Sequence, residues 1–85
     1  MKYGIYSIRD AAAGVFTAPT IDISDHSAMR NFQQACANAD SVMNFAPNDF
    51  ALYKIGLFDA ELGFIEPDSP TVIMNGITCV QKGKE

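Results

Sequence analysis

Asp10-Ala11-Ala12-Ala13-Gly14 and Asp59-Ala60-Glu61-Leu62-Gly63 repeat one five-residue pattern, D-A-x-x-G. Each copy sits between two runs of strand-forming residues. Tyr3 to Arg9 precedes the first and Val15-Phe16-Thr17 follows it; Leu52 to Phe58 precedes the second and Phe64-Ile65-Glu66 follows it. An aspartate opens a turn by accepting backbone N–H groups, and a glycine four residues on takes the left-handed conformation that closes it. The pattern therefore predicts two β-hairpins. Pro19 and Pro67 are expected to end both returning strands at sheet edges, where a missing N–H is tolerated.

Between the hairpins, Ser24 or Asp25 offers an N-cap, and Asp25 complements the helix dipole in the first turn. Ala28, Met29, Phe32, Ala35, Cys36 and Ala39 recur at helical spacing, while Arg30, Asn31, Gln33, Gln34 and Asn38 face away. An amphipathic helix packed on the sheet is expected. Asp40 to Asp49 reads as a connection plugged by Val42, Met43 and Phe45. Asn75-Gly76, flanked by Thr71 to Met74 and Ile77 to Val80, predicts a third hairpin. The fold class is α+β: a small antiparallel sheet from two hairpins in the order ββ-α-ββ, a C-terminal strand or hairpin, and one helix. The 85 residues form a single domain, 1–85, with 81–85 as a frayed polar tail.

Apolar residues are 48% of the chain and charged residues 19%, so few charges cover a small apolar body. In the strand from Leu52 to Phe58, simple alternation sends Tyr53, Ile55 and Leu57 one way and Leu52, Lys54 and Phe58 the other. The first strand sets Tyr3 and Ile5 opposite Tyr6 and Ile8. One helix cannot shield both faces. A homodimer or higher oligomer is the expected remedy.

Little here supports catalysis. Cys36 and Cys79 match no zinc or redox spacing and read as small buried hydrophobes; His26 reads as an exposed residue of the first helical turn. Asp59, Glu61, Glu66 and Asp68 belong to turns and strand ends, and no phosphate-binding glycine loop occurs. The expectation is no enzyme, no cofactor and no metal. Lys2, Arg9 and Asp10 interrupt any signal peptide, and the longest uncharged run, Ser69 to Gln81, is too short to cross a membrane. A cytoplasmic protein is expected.

The net charge of −4 excludes a uniformly basic nucleic-acid glove but leaves room for a local basic stripe. Lys2, Arg9, Lys54, Lys82 and Lys84 are candidates for phosphate contacts, and Tyr3, Tyr6 and Tyr53 for stacking on unpaired bases. Such binding is weak per protomer and gains from several copies along one strand.

The opening Y-S-I-R-D-x-x-x-G-x-F-x-x-P (Tyr6 to Pro19) resembles the start of the small nonstructural protein of gokushoviruses, phages with circular single-stranded DNA. A-M-R-N-F (Ala28 to Phe32), P-x-D-F-x-L-Y-K-I-G-x-F-D-x-x-x-G (Pro47 to Gly63) and P-x-V-I-M-N-G (Pro70 to Gly76) are similar to the same family, Leu52 to Asp59 most specifically. The resemblance implies a protein of the host bacterial cytoplasm, outside the mature virion. It also implies DNA binding at the switch to single-stranded genome synthesis and packaging. The acidic balance keeps a second reading open: an adaptor that contacts the procapsid or the replication initiator without touching DNA.

Overall fold

The computed structural model describes residues 1–78. Strands β1 (Lys2–Asp10), β2 (Val15–Phe16), β3 (Thr20–Asp22), β4 (Phe50–Asp59) and β5 (Phe64–Asn75) form one antiparallel sheet. Helix α1 (Asp25–Ala37), the single turn α2 (Val42–Phe45) and a 3-10 turn (Pro47–Asp49) lie between β3 and β4. β4 runs between β1 and β5, and β2 and β3 share the other edge of β1. The α+β class and both D-A-x-x-G hairpins are as expected.

The two turns are built alike. Asp10 Oδ1 accepts from the N–H groups of Ala12 (3.0 Å) and Ala13 (3.2 Å), and Asp59 Oδ1 accepts from those of Glu61 (2.9 Å) and Leu62 (3.0 Å). The N–H of Gly14 and that of Gly63 each donate to the carbonyl of their aspartate at 2.8 Å. Both glycines take a positive φ, 73° and 72°. Space around Gly63 is open, so Gly63→Ala meets only the left-handed backbone penalty. It should lower stability by about 1–2 kcal/mol, read as a fall in the urea midpoint with an unchanged slope.

Ser24 caps α1, its side chain accepting from the N–H of Ser27 at 3.1 Å. One helix stripe, Ala28, Phe32 and Cys36, is buried against Tyr6, Phe50 and Leu52. Ile8, Met29, Met43, Ile73 and Met74 close the margins of this core. His26 is exposed in the first turn and Cys36 is fully buried, as expected.

Four expectations need correction. First, Asn75-Gly76 makes no hairpin turn: β5 runs through Asn75, and 76–78 leave the sheet in helical conformation. The glycine serves close approach instead, because a Cβ there would lie 2.5 Å from the Pro47 carbonyl oxygen. Its φ is not positive, as the hairpin turn requires. Second, Pro67 lies within β5 opposite Gly56 rather than ending it, and the edge position of β5 makes this possible. After Pro19, in turn, the chain forms β3 against Gly4 to Tyr6. Third, of the three apolar plugs only Met43 packs on the core; Val42 and Phe45 are exposed. A single turn capped by Ser41 can turn only one side inward. Fourth, alternation along β4 fails at Ile55. Ile5 pairs with Gly56 and Tyr6 with Lys54, so Ile55 is an extra residue and the parity of β4 reverses beyond it. Phe58 thus shares a side with Tyr53, and Leu57 with Lys54.

Cys79, Val80, Lys82, Lys84 and the tail lie outside the described residues.

Candidate nucleic-acid interface

Cross-strand partners share a face, so the register sorts every paired residue onto one side of the sheet or the other. The helix side holds Tyr6, Ile8, Phe50 and Leu52 of the core. Counting from these, Lys2, Asp10, Lys54, Leu57, Asp59, Glu66 and, opposite Gly4, Asp22 fall on the same side. The open side receives Tyr3, Ile5, Ser7 and Arg9 of β1, Tyr53 and Phe58 of β4, and Ile65 and Val72 of β5. Phe16, opposite Arg9, and Ile21, opposite Ile5, join them. All four acids of the paired ladder positions are on the helix side. Arg9 is the one charge that pairing places on the open side.

On the helix side the candidate cations are engaged. Lys2 Nζ lies 2.7 Å from Glu66 Oε2, and Lys54 Nζ lies 3.0 Å from Asp25 Oδ1. The same Asp25 oxygen accepts from the Tyr6 hydroxyl at 2.5 Å. Tyr6 is 1% exposed, and its phenol folds back over Gly4, where any Cβ would collide with it. It is thereby a strut between β1 and the start of α1, with no ring face open to a base. Burial, and then the hydrogen bond to Asp25, push its hydroxyl pKa up. The Tyr6 hydroxyl and then Lys54 hold the Asp25 carboxyl below the usual carboxylate range. Backbone N–H groups of Leu62 and Glu61 do the same for Asp59, and the Ser27 side chain does so for Asp22.

These depressed values set the acid response. A carboxylate with a lowered folded pKa contributes stability above its unfolded pKa and loses it as pH falls through the folded value. Stability should therefore fall below about pH 4. Asp25→Asn removes that clip at neutral pH, so its loss relative to the parent should be largest near pH 6 and shrink toward pH 2. Urea midpoints across this range check it.

The open side gathers a different group. The Phe16 and Tyr53 rings meet edge to face, centroids 5.3 Å apart at 79°. The Arg9 guanidinium carbon lies 5.3 Å from the Phe16 centroid, within cation–π range. Among the described residues Arg9 makes no ion pair. Tyr3 and Phe58 pair further along the same face. Of the eight expected contact residues, the fold thus gathers Arg9 and Tyr53 around Phe16 and sets Tyr3 further along the same side. It turns Lys2, Lys54 and Tyr6 to the helix side, and Lys82 and Lys84 lie outside the described residues.

Phe16 and Phe58 were missed by the sequence reading. Phe16 was recoverable: closing the first turn with Asp10 opposite Val15 sets Arg9 opposite Phe16. Phe58 was only half recoverable: Gly56 inside the strand run hints at a bulge, but only the pairing with β1 places the extra residue at Ile55.

Among the described residues no helix is long and apolar enough to cross a membrane. No curated protein and no solved structure matches the chain. A family model described as phage ORF5 protein matches residues 3–79, from the first strand across both D-A-x-x-G hairpins, and the chain belongs to that phage protein family.

Proposed function

We propose that this protein is a non-enzymatic, single-stranded-DNA-binding protein of a gokushovirus-type phage. It works in the host bacterial cytoplasm, outside the mature virion, during the switch to single-stranded genome synthesis and packaging. The observation that carries the reading is the sorting of charge by strand register. Every paired acid is on the helix side, and the open side offers Phe16, Tyr53, Tyr3 and Phe58 with Arg9 as its cation. Base–aromatic stacking contributes about 1–3 kcal/mol per base and tolerates any sequence. Phosphate neutralisation by Arg9, joined by Lys82 and Lys84, supplies a small salt-dependent remainder.

Fluorescence anisotropy of a labelled oligonucleotide tests this. With a slope of ~0.7 per phosphate, one to three contacts predict a loss of about 3- to 20-fold between 50 and 200 mM salt. Duplex of the same sequence should bind more weakly, since its bases are already stacked. Absence of binding at low salt would reject the proposal. That result favours the second reading, an adaptor for the procapsid or the replication initiator. The ion pairing of Lys2 and Lys54 and the low charge of the open face support that alternative.

A further inference from the structure

The edges of the sheet are defended unevenly. Unpaired strand edges are templates for another strand, and proteins blunt them with short strands, charges, prolines and bulges. One edge here consists of β2 and β3, two and three residues long. The other edge is β5. Its first part carries Glu66, Pro67, Asp68 and Pro70, and pairing with β4 is interrupted between Pro67 and Thr71. Thr71-Val72-Ile73-Met74 carries neither charge nor proline, and two of its residues are β-branched and apolar; its one irregularity is the bulge at Ile73, between the Leu52–Met74 and Tyr53–Val72 pairs. Its pairing with β4 resumes there, and within the described sheet β5 has no second neighbour. Beside it runs a groove of about 190 Å³ between α1 and β5, lined by His26, Met29, Arg30, Gln33 and Met74.

We infer that Thr71–Met74 is a homodimerisation edge, at which a second copy of this chain adds the same segment antiparallel about a two-fold axis. The segment is compatible with itself. A two-fold axis through Val72 sets Val72 against its own copy and Thr71 against Ile73, so no like charges meet. The earlier part of β5 could not pair in this way, because it would bring Glu66 and Asp68 close to their own copies. Hydrogen bonds from an extended edge fix the register, and the adjoining groove receives side chains from the incoming copy. The contact is isologous and closes at two. It also joins two sheets into one, with both open faces on the same side. The inference does not depend on DNA, and its test contains none.

Sedimentation of the full chain from about 1 to 500 µM, the range in which a small interface associates, should show a rise from 9.2 kDa to twice that mass. Val72→Lys, at an exposed position, should keep the particle monomeric with unchanged circular dichroism. Thr71→Lys should do the same if the first variant folds poorly. Ile65→Lys, also exposed and on the open face but in the guarded part of β5, should still dimerise. Hydrogen exchange at 71–74 should slow as concentration rises. A monomer at every concentration overturns the inference. So does loss of the dimer in Ile65→Lys with retention in Val72→Lys, which would assign the contact to the open face. Protection at the lowest concentration of those N–H groups of 71–74 that point away from β4 overturns it too, because the chain would then cover its own edge.

Discussion

Phe32→Ala is expected to lower the unfolding free energy by about 3–5 kcal/mol. Phe32 is 3% exposed and stands at the middle of the stripe of α1 that is buried against the sheet, between Ala28 and Cys36. Its fully buried neighbours are two small helix residues and Tyr6, Phe50 and Leu52, and the methionines Met29 and Met43 pack only at the margin of this core, so the void is at best partly filled. An 85-residue domain has about 4–13 kcal/mol of stability in total, so the variant loses between a quarter and all of it. Phe45→Ala is the control: the same ring deleted from a site 88% exposed should shift stability by no more than about 0.5 kcal/mol. Urea unfolding followed by circular dichroism reads both. A loss below about 1 kcal/mol for Phe32→Ala would mean that α1 is not seated as described.

The second large effect concerns the open face. Tyr53→Ala should weaken oligonucleotide binding by about 1–3 kcal/mol, or roughly 5- to 150-fold, by removing a stacking ring. The same substitution removes the edge that supports Phe16, so it also loosens the ring beneath Arg9. Arg9→Gln should act differently, flattening the salt dependence by ~0.7 in slope because one phosphate contact is lost. Lys54→Gln is the discriminating partner. Lys54 is ion-paired to Asp25 on the opposite side of the sheet, so this variant should cost stability at neutral pH yet leave the salt slope intact. A flattened slope in Lys54→Gln with an unchanged one in Arg9→Gln would move the binding surface to the helix side.

The three variants also show how far the binding surface could be read in advance. Arg9, Tyr3 and Tyr53 were legible as strand-borne basic and aromatic groups, and the alternation of β1 already set Tyr3 and Ile5 opposite Tyr6 and Ile8. The partners of those groups were not legible. Nothing near Lys54 in sequence announces Asp25, and nothing near Tyr6 announces that its hydroxyl meets the same oxygen. A tyrosine beside a lysine on a strand looks the same whether it stacks bases or braces a helix. Only the position of α1 separates the two roles.

The residues by themselves determined the parts whose energetics close within a few positions. An aspartate bonding to N–H groups two and three residues ahead makes each hairpin turn, a serine side chain caps α1, and apolar groups four residues apart form its buried stripe. Tertiary structure decided whatever depends on a partner far along the chain. The extra residue at Ile55 reverses the faces of β4 because β1 is its neighbour, and Gly76 fits against Pro47 instead of turning a hairpin. The two-sided sorting of charge follows from the same pairings. Local bonds compete only with water and can be read from neighbours; strand register is chosen by the burial of a whole face, which no short segment encodes.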